Sequence, residues 1–149
     1  MLHYDGVLIT FSTLFIMFGI SLHVLFVHFP IVLAIFAVYY DFRAYLADDR
    51  LLYSVGSTLI KYAAIFGALA TATGLQHAGA TGLGSDSIVS AHAVTGIIGT
   101  ISLIALAGRR YSLEARDEDR EKACSLPWLV AEVLTAFFIA VTAIVGHQI

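Results

Sequence analysis

Residues 6–40 read GVLITFSTLFIMFGISLHVLFVHFPIVLAIFAVYY, a run of 35 positions without Asp, Glu, Lys or Arg. As one helix this run would extend ~52 Å, whereas ~20 apolar residues cross a hydrocarbon core ~30 Å thick. It is too long for one simple crossing and too apolar for water. The most natural division falls near Gly19 to Ser21 and separates an N-terminal apolar segment (about 6–20) from a first membrane span (about 22–42). The N-terminal segment is short and leaves little room for a turn, and Thr10, Ser12, Thr13 and Ser21 are too weak to define a solvent face. We read it as an interfacial or partner-packed helix in preference to a fifth span. The MLHYDG start lacks the basic residues and the cleavage site of a signal peptide, so the segment is expected to stay.

The rest of the chain continues the pattern. Hydrophobic residues make up 59% of the sequence and charged residues 13%, with a mean hydropathy of +0.87; a soluble domain carries roughly 25% charged residues. Further spans are expected at about 58–77, 87–107 and 127–147, with Pro127 in a first helical turn, where its missing donor costs nothing. The glycine-rich AGATGLGSDS separates the second span from the third, and loops are expected at about 43–57 and 108–126. The expected fold is all-α: one domain, an integral membrane antiparallel four-helix bundle (22–149), with the apolar segment 1–21 as an additional helix, interfacial or a fifth span.

Charge sets the orientation. All eight Lys and Arg residues fall between Arg43 and Lys61 or between Arg109 and Lys122, so the positive-inside rule places both connections in the cytoplasm and the C-terminus outside. This implies a bacterial inner membrane location with a periplasmic C-terminus. The six histidines (His3, His23, His28, His77, His92 and His147) fall at the opposite ends. An ionisable group at membrane depth is costly, and imidazole is the commonest metal ligand.

Depth separates these histidines. His28 and His92 each lie roughly 8–9 Å below the outer boundary, whereas His23, His77 and His147 lie nearer the surface. Two buried histidines at matched depth on different helices suit the two axial bonds of one haem iron, so His28 and His92 are the expected ligands. Gly96, one turn beyond His92, would lie beneath the macrocycle. His23, His77 and His147 are expected close to the outer mouth, as propionate anchors, a second ligand pair or helix caps. His3 is read as a side chain bonded to a helix-end carbonyl.

Other chemistry has little support. Asp5 and Asp86 are the only acidic residues at the histidine side, so a di-iron carboxylate site has too few ligands. Copper or zinc held by three histidines, a histidine-bound chlorophyll-type pigment, or no cofactor remain as alternatives to haem b. Cys124 is a lone cysteine and no CxxCH motif occurs, which excludes an internal disulfide and covalent haem attachment. There is no P-loop, dinucleotide fingerprint, HExxH or nucleophile elbow, and nothing points to nucleic acid. Glu132, inside the fourth span, is expected to pair with Lys61 or Tyr62 near the headgroups.

HVLFVHFPIVL, AHAVTGI and TAIVGHQI together make the chain resemble the 2231 family of domains of unknown function. Those are small four-helix membrane proteins often described as candidate b-type cytochromes. His23, Val27, His28, Phe29 and Pro30 match a His-Pro-x-x-Val-His-Phe-Pro opening, with Val24 in place of the first proline. His92 and Gly96 match a His-x-x-x-Gly helix start, and Gly146 and His147 resemble an ending whose double glycine is absent here. The similarity covers roughly residues 22–149. It implies the same bundle and supports the fold more than the activity.

The expected function is a haem b-binding electron-transfer subunit with its redox site in the outer half, more an electron carrier than a stand-alone enzyme. The alternative is an accessory or scaffold subunit of a larger respiratory or photosynthetic complex. Because the cytoplasmic half offers no histidine, the chain is expected to serve as a one-sided relay. It would meet a quinone, a periplasmic carrier or other subunits for the rest of the path.

Overall fold

The structure is a computed structural model describing residues 22–82, 87–116 and 125–146. Four helices make up almost all of them: α1 (Leu22–Ala47), α2 (Arg50–Gly82), α3 (Ser87–Ala115) and α4 (Leu126–Gly146). All four are long and apolar enough to cross a membrane. Each packs on its chain neighbours, and α1 against α4 closes the ring. The N-terminal segment, His3, Cys124 and His147 lie outside the described residues. So do the side chains of 77–87, including that of His77 in α2.

Each helix turns a stripe of small or polar residues inward. On α1 the buried positions are Pro30, Ala34, Ala37, Asp41 and Ala44; on α3, Gly99, Leu103, Leu106 and Arg110 are buried. The alternating three- and four-residue steps are those of knobs-into-holes bundles. Many large apolar side chains point the other way, among them Val32, Ile35 and Phe36 of α1 and Leu134 and Phe137 of α4. In water this arrangement would be inside out. In lipid, whose acyl chains are as apolar as leucine, burying a large apolar side chain gains little, so small residues let helices approach and large ones meet the acyl chains.

The connections are shorter than expected. Residues 43–57 are helical apart from Asp48 and Asp49, and 108–115 belong to α3: α1 continues to Ala47, α2 starts at Arg50 and α3 continues to Ala115. Helices of 26 to 33 residues measure ~39–50 Å and outrun the hydrocarbon core. Among the described residues, the charges of these stretches are carried on the extensions, in the turns that end them, or inside the bundle. Between α1 and α2 only Asp48 and Asp49 remain. Asp48 adopts a left-handed φ of 52°, and the Asp49 amide donates back to the Ala44 carbonyl at 3.3 Å, which closes α1 with a Schellman-type turn. The Asp49 carboxylate then accepts from the amides of Leu51 (2.8 Å) and Leu52 (3.4 Å), capping α2. Pro127 does lie in the first turn of α4, where Ser125 accepts from the amides of Trp128 and Leu129.

The bundle is layered along its axis. The core of Ala34, Ala37, Ile60, Ala63, Leu103 and Ala136 fills the middle. On one side lie His23 and His92, and on the other Asp41, Arg110 and Glu132. His23 precedes Asp41 on α1 by 18 residues, as His92 precedes Arg110 on α3, so the two polar layers stand ~27 Å apart. That is nearly a hydrocarbon thickness.

Candidate functional site

The histidine layer is built by the same device twice. His23, on α1, donates from Nδ1 to the Ala70 carbonyl of α2 at 2.9 Å. His92, on α3, donates from Nδ1 to the Thr142 carbonyl of α4 at 3.1 Å. In each case a glycine stands four residues beyond the accepting carbonyl and clears space for the ring. A Cβ on Gly74 would come within 2.9 Å of His23 Nδ1, and one on Gly146 within 2.8 Å of His92 Nδ1. A carbonyl can only accept, so each ring carries a proton on Nδ1, and in the neutral imidazole Nε2 is then the acceptor nitrogen. A cross-helix hydrogen bond of this kind fixes the orientation and raises the basicity of a ligating imidazole.

The two rings meet across the ring of helices, with centroids 6.2 Å apart and planes at 81°. They border a cavity of about 530 Å³ to which all four helices contribute, within the ~300–1,000 Å³ typical of ligand sites. Its walls are mainly small and aliphatic: Gly67, Ala70, Gly74, Ala93 and Gly96, with Leu103 at the floor. The hydroxyls of Thr71 and Thr100 bond to each other at 2.7 Å, and Thr142 returns its own to Phe138 of the same helix.

The expected pairing of His28 with His92 does not form. His28 is exposed on α1 and donates from Nδ1 to the Val24 carbonyl of its own helix at 2.7 Å. Residues five apart on a helix differ by ~140° in direction, so His23 and His28 cannot share a face. The buried stripe of α1, followed back from Pro30 through Val27, arrives at His23. That spacing was legible in the sequence and outweighs depth along the helix. Gly96 does line the cavity, and a Cβ there would meet only Thr142 Cγ2 at 4.0 Å. Among the described residues no group of three or more His, Cys, Asp or Glu side chains comes together as a metal cage.

The second polar layer was not expected. Arg110, 2% exposed, bonds Asp41 through both terminal nitrogens, one to Oδ1 at 3.3 Å and Nη2 to Oδ2; the same Nη2 bonds Glu132 Oε1. The Tyr53 ring of α2 covers the guanidinium, 4.6 Å from Cζ to the centroid. All four helices thus meet on one buried cation. Gly56 makes room for it, since a Cβ there would lie 2.6 Å from Asp41 Cγ. Glu132 therefore pairs with Arg110, not with Lys61 or Tyr62. Lys61 is engaged by Glu114, which also accepts from Ser57 at 2.5 Å, and Tyr62 is exposed. Arg110, counted in the sequence as a topological charge of a loop, is the centre of an interior network. Its signal was a position on the α3 stripe, 18 residues after His92.

A family described as predicted membrane proteins, DUF2231, matches residues 19–149. The chain belongs to DUF2231. Neither curated proteins nor solved structures yielded a match. The DUF2231 match covers the whole bundle, and the residues that carried the resemblance divide into two groups within it. His23, Val27, Pro30, His92, Gly96 and Gly146 line the cavity; His28 and Phe29 are exposed on the other side of α1.

Proposed function

We propose that this DUF2231 protein binds haem b between His23 and His92 and serves as an electron-transfer subunit. The observation that carries the reading is the pair itself. Two imidazoles bound to one metal through Nε2, at ~2.0 Å each, place their ring centroids ~6 Å apart, and the observed separation is 6.2 Å. The Nδ1 bonds to Ala70 and Thr142 leave Nε2 as the ligating atom on both rings. The small residues of the cavity wall suit a flat, apolar macrocycle, and the surrounding bundle would limit water at the metal. Bound there, haem would supply reversible one-electron chemistry. His23 and His92 would hold the iron, while Gly74 and Gly146 keep both rings in register.

The positive-inside rule supports a location of this site in the outer half of a bacterial inner membrane, with the C-terminus in the periplasm. The described part of the basic half holds no histidine, and the apolar layer from Ala34 to Ala136 separates it from the cavity. The site would therefore exchange electrons with a quinone or a periplasmic carrier at its own face, and partner subunits would complete any path across the membrane.

The test is a reduced-minus-oxidised absorption spectrum of the protein purified after expression with haem supplied. A b-type band is expected, lost in His23→Ala and in His92→Ala and retained in His28→Ala. A featureless wild-type spectrum would refute haem binding and favour the accessory-subunit reading.

A further inference from the structure

The Asp41–Arg110–Glu132 layer does not balance its charge. One guanidinium faces two carboxyl groups, and the three side chains are all at least 96% buried. Ionised throughout, the layer would carry a net negative charge in a low-dielectric interior, where each uncompensated ion costs several kcal/mol. Two acceptors on the same nitrogen, Arg110 Nη2, lie within ~6 Å of each other, close enough for like charges to oppose joint ionisation. A second observation points the same way. Glu132 Oε2 is buried and has no hydrogen-bond partner among the described residues, although Glu132 Oε1 shares Arg110 Nη2 with Asp41 Oδ2. A buried carboxylate oxygen left so is costly, and a neutral carboxyl is less costly to bury than an anion.

We propose that Asp41 and Glu132 share one proton, so that the layer is a membrane-buried proton-binding site. Its two states differ by one O–H bond: a neutral triad with the proton on one carboxyl, and an anionic triad after that proton leaves to water. Every helix contributes a group that faces the site, namely Asp41 from α1, Tyr53 from α2, Arg110 from α3 and Glu132 from α4. Exchange belongs to the basic end. Toward the cavity the site is closed by Ala37, Ile60, Leu106 and Ala136. Toward the basic end, Ser57 follows the Gly56 that abuts Asp41 and donates to Glu114, a carboxylate that reaches the surface beside Lys61. Buried carboxyl groups of this kind inside membrane helices serve as proton relays in pumps and transporters. The proposal does not depend on the haem reading, since it concerns the opposite end of the bundle.

Infrared spectroscopy of the purified protein in lipid at pH ~7.5, about three units above the ordinary carboxyl range, tests it. A deuterium-sensitive C=O stretch of a protonated carboxyl is expected. It should shift in protein labelled with carbon-13 at Asp or Glu side-chain carboxyls, and it should vanish in Asp41→Asn and in Glu132→Gln, where one cation meets one carboxylate. No such band in the wild type overturns the proposal, as does a band that responds to neither label. If either variant fails to fold, the labelled wild type decides alone. Persistence of the band in both folded variants would equally overturn it.

Discussion

The two polar layers of this bundle solve opposite problems. At the histidine end, small residues of α2, α3 and α4 leave a cavity, and hydrogen bonds to backbone carbonyls anchor two imidazoles at its edge with ring centroids 6.2 Å apart. At the basic end all four helices close on one guanidinium, and a glycine is needed simply to admit a carboxylate. Glycine therefore has two uses here. Gly74, Gly146 and Gly56 stand where a side chain must pass, whereas Gly96 borders empty space. Polar groups inside a membrane protein are expensive in either setting. One layer meets that cost with ion pairing and the other with cross-helix hydrogen bonds from its imidazoles to backbone carbonyls.

Mutations at the two ends should separate these designs. The largest effect is expected for Arg110→Leu, which leaves two buried carboxyl groups without their cation. A loss of ~3–5 kcal/mol is expected, measured by equilibrium unfolding in mixed micelles, and a loss below ~1 kcal/mol would show that the layer is not a structural clamp. Next comes Gly56→Ala. Its Cβ would press on Asp41 Cγ at 2.6 Å, and overpacking of this kind costs ~1–3 kcal/mol. The same substitution at the other end should have the opposite sign. Gly96→Ala meets nothing closer than 4.0 Å, so the gain in helix propensity should stabilise the protein by ~0.5–1 kcal/mol. Should Gly96→Ala destabilise as much as Gly56→Ala, the contrast between an open and a filled layer would fail. The smallest effect is expected for Lys61→Ala, because its partner Glu114 is substantially exposed and surface pairs contribute ~0–1 kcal/mol. A thermal melt in detergent at low and high salt checks this, with any loss shrinking as salt rises.

Much of the fold was legible in composition and charge, and less of the site. The four spans follow from apolar length, which is a property of each segment alone. Charge does not mark the helix ends, because a partner on another helix can replace water. Asp41 and Arg110 are charged and deeply buried, and they sit on helices that continue past them. Distance from a span's end could not tell His23 from His28, since depth ignores rotation about the helix axis. The stripe through Pro30, Ala34 and Ala37 could have done so, because those small residues mark the face that neighbours approach.

The sequence by itself determined that this is a membrane-spanning helical protein and that its histidines and its basic residues occupy opposite ends. Those properties depend only on how far each residue lies along a segment of known rise. Only the tertiary structure decided that His92 meets His23 and that Glu132, Asp41 and Arg110 form one group. In lipid both the inner and outer faces of a helix are apolar, so the ordinary amphipathic signal that orients a helix is weak. What orients it is the fit of small residues and the pairing of polar ones on separate helices. The Arg110–Asp41 contact spans 69 positions of the chain, and no local pattern encodes it.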